Sequence, residues 1–212
     1  MNSSRIKAVI FDLGNVLINF DHMIAAKKIL EFTRESPQEI YRLFFDSGLT
    51  QSFEEGKISA RDFFSQVKSL LKSEISFEEF LPIWNEIFFL TDENQKVYEL
   101  ARSISNNYKT VLLSNINELH FVYLKKKFPI FDGFHAVFTS YELGAIKPNP
   151  LIYLRVLKIL EILPHEAFYV DDRQELILKA SELGIKAFLY NGSERLKEDL
   201  LSCGVNMGRG ET

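Results

Sequence analysis

Four kinds of polar group in this sequence could share one reaction: Asp12, Ser114, Lys147 and the pair Asp171-Asp172. A carboxylate can act as a nucleophile, a hydroxyl can hold an anion by a hydrogen bond, and an ammonium can neutralise it. Asp12 comes just after Ile6-Lys7-Ala8-Val9-Ile10, a short apolar, β-branched run that reads as a buried strand. Ser114 follows the strand-like Thr110-Val111-Leu112-Leu113, and Asp171-Asp172 follow Ala167-Phe168-Tyr169-Val170. In an open parallel sheet the carboxyl ends of the strands lie along one edge, and ligands bind there. Lys147, in a loop after a third strand at residues 136–138, could reach the same crevice. Three carboxylates gathered without a counter-ion repel one another and raise their own pKa values. A hard divalent cation relieves that conflict, and Mg²⁺ is favoured because it takes oxygen ligands and shares them with substrate phosphate. Each residue alone has a plainer reading. Asp12 could cap the turn at Gly14-Asn15, Ser114 a helix, and Lys147 could be a solvated loop lysine. It is the recurrence of such groups at successive strand ends that indicates a site.

The elements that must position these groups follow from periodicity. From Thr91 onward helix and strand alternate. Helices are predicted over residues 91–105, 117–127, 150–160, 172–183 and 193–201, and strands at 110–113, 136–138, 167–170 and 186–190. That alternation implies a doubly wound, Rossmann-like parallel sheet of about five strands with both faces covered. Residues 19–90 break the rhythm. They hold no convincing strand and read as amphipathic helices, with Pro37 suited to a first turn and Ser76/Glu79 spaced as a capping box. Residues 51–57, Gln51-Ser52-Phe53-Glu54-Glu55-Gly56-Lys57, read as a connecting loop. Phenylalanines crowd this stretch, either as the core of a helical bundle or in part as a lid over a site. The division expected is therefore a core of residues 1–18 and 91–203, an inserted all-α cap of residues 19–90, and a flexible glycine-containing tail of residues 204–212.

Composition excludes several classes. At 212 residues, 46% hydrophobic and 25% charged, the chain has ordinary globular values. A net charge of −4 gives no basic footprint for a nucleic acid. It also gives no general attraction for anions, so affinity for phosphate must be local. One cysteine, Cys203, allows no internal disulfide and fits a reducing compartment. No apolar run is long enough to span a membrane or to form a signal-peptide core, so a cytoplasmic location is expected. Nothing in the sequence sets an oligomeric state.

As a set, the motifs resemble the haloacid dehalogenase-like superfamily. Phe11-Asp12-Leu13-Gly14-Asn15-Val16 resembles its first motif, Leu113-Ser114-Asn115 the second, Lys147-Pro148 the third and Val170-Asp171-Asp172 the fourth. A helical insertion directly behind the first motif matches the family's type-1 cap. The wording Asp-Leu-Gly-Asn-Val, with residues 142–153, is most similar to the glucose-1-phosphate phosphatase-like group. The resemblance implies a Mg²⁺-dependent hydrolase acting on a small phosphorylated metabolite. In it Asp12 attacks phosphorus to give an aspartyl-phosphate that water then hydrolyses. Ser114, the backbone N–H of Asn115, and Lys147 would hold the phosphoryl group. Asp12, the backbone carbonyl of Gly14, and Asp172 would bind the metal, with Asp171 orienting a bound water or Lys147.

Gly14 departs from that pattern, because phosphatases of the family usually carry a second aspartate there as proton donor and base. Glycine keeps the carbonyl but loses the proton shuttle, so slow turnover, or turnover limited to good leaving groups, is expected. His22 is the nearest substitute in sequence, although a lone histidine is also a common structural residue, and Asn15 can orient water but cannot act as a base. Two other functions stay open. Carbon–halogen hydrolysis needs no second aspartate but leaves Asp171-Asp172 without a role, and a catalytically silent phosphate-binding protein would keep the pocket alone.

Overall fold

Ala8, Val9, Ile10 and Phe11 are fully buried and carry no polar side chain, as expected of a strand flanked on both edges and both faces. In the computed structural model, which describes residues 5–46 and 48–207, this strand, β1 (Ala8–Phe11), is the centre of a five-stranded sheet. The chain continues through β2 (Asn19–Phe20), α1 (His22–Ile29), α2 (Pro37–Tyr41), α3 (Leu49–Glu54), α4 (Ala60–Leu70), α5 (Phe77–Asn85) and β3 (Phe88–Phe89). Alternation then sets in with α6 (Asp92–Ile104), β4 (Lys109–Ser114), α7 (Glu118–Lys127), β5 (Ala136–Thr139), α8 (Ser140–Leu143) and α9 (Pro150–Leu160). It ends with β6 (Ala167–Asp171), α10 (Gln174–Glu182), β7 (Lys186–Leu189) and α11 (Ser193–Ser202).

The large sheet has the order β5-β4-β1-β6-β7, and every pairing in it is parallel. The chain steps outward from β1 through β4 to β5, then returns to the other side of β1 with β6. The order therefore reverses between β1 and β6, the switch point where such sheets open a crevice. Register makes this concrete. Phe11 is level with Leu112 on one side and Val170 on the other, so Asp12 falls level with Leu113 and Asp171 at the carboxyl edge.

Period-two alternation sends strand residues to opposite faces. Val9, Phe11, Leu112, Phe168 and Val170 pack against α6, α7 and α11. Ala8, Ile10, Val111, Leu113 and Tyr169 pack against α9 and α10. A third core, built on Phe53, Phe63, Phe80 and Trp84, belongs to the inserted helices. Phe53 and Phe63 stack at 4.5 Å, and Phe63 lies 4.9 Å from Trp84. Most of the helix starts are read directly from caps. Ser36/Glu39, Ser76/Glu79 and Thr91/Asn94 form reciprocal boxes.

Two segments differ from the sequence-based expectation. Residues 19–90 hold two short strands, β2 and β3, paired antiparallel with Asn19 opposite Phe89 and Phe20 opposite Phe88. Two residues are too few to show an alternating pattern. Their pairing closes the base of the insertion, where Asn94 donates to the Val16 carbonyl at 3.1 Å and to the Asn19 side chain at 3.0 Å. Residues 51–54 also continue helix α3 instead of forming a loop. Phe53 is buried on its inner face, and the turn comes only at Gly56, at φ +67°. The expected tail is anchored at its start: Tyr108 donates to the Gly204 carbonyl, Asn206 N–H donates to Tyr108, and Val205 is buried. Residues 208–212 lie outside the described residues. Among the described residues no helix is long and apolar enough to cross a membrane.

Candidate active site

Asp12 emerges from β1 with its backbone N–H still donating to the Val170 carbonyl, so its side chain starts from the sheet edge and not from a loose loop. Asn15, at φ +55°, turns the chain away from the strand, a conformation asparagine tolerates better than most residues. On the neighbouring strand Asp171 is the last residue of β6 and is wholly buried. Lys147 arrives from the far side of the sheet on the loop between α8 and α9. Its ammonium lies 2.6 Å from Asp12 Oδ1, 2.6 Å from Asp171 Oδ2 and 3.1 Å from the Leu113 carbonyl. An ammonium has three protons, and all three have acceptors here. The side chain of Asn115 holds the lysine backbone in a reciprocal pair, donating to the Lys147 carbonyl at 2.9 Å and accepting from its N–H at 2.8 Å.

Asp171 is further fixed by the hydroxyl of Tyr169 and by the Arg173 N–H at 3.0 Å. Asp172 accepts from the Asn15 side chain at 2.9 Å. One carboxylate oxygen from each of Asp12, Asp171 and Asp172 lies within 4.8 Å of the others, an all-oxygen donor set suited to a hard divalent cation. One lysine among three acids leaves an excess of negative charge. Burial is the main cause that pushes the Asp12 carboxyl up to about 7, with Lys147 opposing it and Asp171 and Asp172 adding to it. Burial and Asp171 also raise Asp172. Burial works against the Lys147 charge, yet the two carboxylates beside it hold its pKa above the ordinary lysine value.

These groups open into a cleft walled by both polar and apolar side chains. Asp12, Gly14, Ser114, Asn115, Lys147 and Asp172 line it, whereas Asp171 lies beneath as their support. Ser114 is the last residue of β4 and Asp171 the last of β6, so both sit within the strand ends instead of one residue past them. The side chain of Asn115, which lines the cleft, is taken up by the Lys147 backbone. His22, at the start of α1, also lines the cleft. The aromatic question divides: Phe53, Phe63 and Phe80 are core, whereas Phe20 and Phe88 line the cleft. Sequence reasoning did not single out Glu54, His120 or Arg173, which also line the cleft. Glu54 lies in the charged run that reads as a connecting loop. His120 lies within a helix and accepts its role only through tertiary contacts, donating from Nε2 to the Trp84 carbonyl at 2.9 Å.

A doubly wound sheet with an aspartate at the end of its central strand, facing a lysine and an acidic pair across the switch point, defines a class of hydrolase. A family model described as haloacid dehalogenase-like hydrolase matches residues 6–184, and the chain belongs to that family. It is 29% identical over 200 residues to a D-ribitol-5-phosphate phosphatase of Bacteroides thetaiotaomicron, covering 91% of this chain and 96% of that one. A solved structure of a family enzyme from the same organism, in complex with magnesium and inorganic phosphate, superposes with a TM-score of 0.78 at 28% identity, covering 88% and 94% of the two chains. The L-2-haloacid dehalogenase of Xanthobacter autotrophicus shares the fold, with a TM-score of 0.61 at 20% identity over 93% of this chain and 83% of that one.

Proposed function

We propose that the protein is a Mg²⁺-dependent phosphomonoester hydrolase acting on a small phosphorylated metabolite such as a sugar or polyol phosphate. The observation that carries this reading is the placement of the Lys147 ammonium between Asp12 and Asp171, with Asp172 completing an oxygen cluster in a cleft. The similarity to a polyol-phosphate phosphatase supports the substrate class. Asp12, Asp172 and the Gly14 carbonyl would hold the cation, which supplies positive charge to offset the repulsion between a carboxylate and a phosphate dianion. Asp12 attacks phosphorus in line, forming an aspartyl-phosphate as the P–O bond to the leaving alcohol breaks, and water then hydrolyses that acyl phosphate. Lys147 neutralises the phosphoryl oxygens and holds the Asp12 carboxylate in one orientation. Ser114 and the Asn115 N–H position the phosphoryl group, and Asp171 anchors Lys147. Residues 19–90 act as a helical cap over a core of residues 1–18 and 91–203, and set the choice of substrate.

Displacement of halide from carbon is the second reading, favoured by Gly14, because a leaving halide needs no proton. It leaves the acidic pair beside Asp12 unused. A screen of phosphorylated metabolites and 2-haloacids, with Mg²⁺ and with a chelator, separates the two. Phosphate release that chelation abolishes and Mg²⁺ restores is expected. Halide release indifferent to the chelator would overturn the assignment.

A further inference from the structure

Gly14 leaves the site without a proton donor at the family's usual place, and the space is not vacant. A Cβ built on Gly14 would lie 2.8 Å from Phe20 Cε1, so the phenyl ring of β2 fills the volume an acidic side chain would need. A donor must come from elsewhere on the cleft wall. The ionisable side chains there, apart from those already given roles, are His22, Glu54, His120 and Arg173.

Three of these are poor candidates. His120 donates from Nε2 to the Trp84 carbonyl, its Nδ1 pairs with the Asn117 side chain at 3.0 Å, and burial pushes its pKa down to about 3. Both ring nitrogens are occupied, and the ring stacks on Trp84 as part of the packing between α5 and α7. Burial also lowers the pKa of His22, with Asp21 opposing it, which disfavours the imidazolium that a proton donor needs. A neutral imidazole cannot give up a proton without becoming an imidazolate. Arg173 stays charged and cannot act as a base.

Resting on the phosphatase reading above, we propose that Glu54 is the general acid and base of this enzyme, supplied from the inserted helices to the site formed by the sheet. The backbone around Glu54 is locked to the catalytic domain at two points. Ser140 Oγ donates to the Glu54 carbonyl at 2.6 Å and accepts from the Ile116 N–H at 3.0 Å, which ties the end of α3 to the loop that follows Ser114. Two residues on, Gly56 lets the chain press against α8, where a Cβ would come within 2.3 Å of the Tyr141 carbonyl oxygen. The carboxyl group, by contrast, makes no hydrogen bond or salt bridge to any described residue, so the backbone is fixed while the carboxyl stays uncommitted on the cleft wall. Burial pushes its pKa up to about 7, with Arg173 as the facing charge that opposes the rise. A carboxyl group with that pKa holds a proton near neutrality and can also give it away.

The two half-reactions balance. In the first, the Asp12 Oδ–P bond forms, the P–O bond to the substrate breaks, and the proton of Glu54 passes to the leaving alcohol. In the second, the Glu54 carboxylate takes a proton from water as the water oxygen bonds to phosphorus. The P–Oδ bond then breaks, inorganic phosphate leaves, and both carboxyl groups return to their starting states.

The test compares wild type and Glu54→Gln on an alkyl phosphate (ribitol 5-phosphate) and on acetyl phosphate, whose leaving acetate needs no proton. Wild type with Mg²⁺ is expected to turn over both. In the variant, kcat on the alkyl ester should fall by about 10²–10⁴-fold. On acetyl phosphate the variant should keep a rapid first turnover and then stall, with phosphate covalently retained on the protein. An equal loss on both substrates, including the first turnover, would mean that Glu54 only shapes the pocket, and would overturn the proposal. So would an unchanged rate on the alkyl ester. A Glu54→Asp variant that recovers part of the alkyl-ester rate supports an acid–base role. Failure of the wild type to release phosphate from either substrate would instead remove the phosphatase reading, and this inference with it.

Discussion

The two walls of the cleft are built on opposite principles. On the sheet side, polar groups are committed several times over. Lys147 has three acceptors, Asp171 accepts from Lys147, Tyr169 and Arg173, and Asn115 clamps the lysine backbone from both its N–H and its carbonyl. On the helical side, Phe20 and Phe88 offer apolar surface, and Glu54 offers a carboxyl that forms no hydrogen bond or salt bridge among the described residues. Such a difference suits a division of labour. Phosphoryl transfer needs fixed charge in a fixed place, because preorganised electrostatics lose their effect if they must reorganise. Proton transfer needs a group whose charge changes during the cycle, and a side chain already bonded on every lone pair cannot change cheaply. The sheet edge is rigid because its residues sit on strands whose register leaves them no choice. The junctions between the two sides include the β2–β3 ribbon, the Ser140 bond to α3, the approach of Gly56 to α8 and the packing of Trp84 on His120.

The contrast can be broken first at its strongest point. Lys147→Met leaves Asp12 and Asp171 buried without their counter-charge. In Mg²⁺-free buffer the variant should lose about 3–5 kcal/mol of stability, as breaking one side of a buried ion pair does. Added Mg²⁺ should restore part of that loss, because a cation can take up the unbalanced charge. Phosphatase activity should fall by about 10²–10³-fold, the scale of removing one preorganised charge or donor. Denaturant melts with and without Mg²⁺, together with steady-state kinetics, check all three. Retention of full stability in the absence of metal would show that the sheet side is not held by this ion pair.

A smaller effect sharpens the other half of the comparison. The pKa of Glu54 is raised in the folded protein to about 7 from an ordinary 4.5, so folding favours its protonated form. The stability linked to that proton is fully present below the unfolded pKa and is lost as pH rises through 7. Glu54→Gln removes the charge that would otherwise have to be buried at high pH. Its Tm should therefore exceed that of wild type at pH 8, by roughly 2–4 °C for a difference near 1 kcal/mol in a chain of this size. The two proteins should melt together at pH 4. A Tm difference independent of pH would mean that the Glu54 carboxyl is not the group being titrated.

The same contrast explains what could be read from the sequence. Strand ends are legible because burial on both faces leaves an unbroken apolar run, and the first polar residue after it marks the edge of the sheet. Asp12, Ser114 and Asp171-Asp172 could be placed along that edge on this ground alone. Lys147 could be assigned only to a loop, and its approach to Asp12 depends on where α8 and α9 return the chain. The helical side gave weaker signals. A two-residue strand such as β2 has no period to detect, and the role of Phe20 depends on the missing side chain at Gly14. Glu54 stands beside Glu55 in a charged run, and nothing local distinguishes the glutamate that pairs with Lys57 from the one that lines the cleft. That distinction arises from the contacts of Gly56 with Tyr141 and of Glu54 with Ser140, between residues 85 and 86 positions apart in the chain.

The central claim is that Asp12 carries the phosphoryl group between the two half-reactions. Acid quenching of the Mg²⁺-loaded protein during turnover of acetyl phosphate, followed by peptide mass spectrometry, tests it most directly. A phosphoryl group on the peptide containing Asp12, absent in Asp12→Asn along with at least about 10³-fold of the activity, is the expected result. Steady phosphate release with Asp12 never labelled, or with the label on another residue, would contradict it.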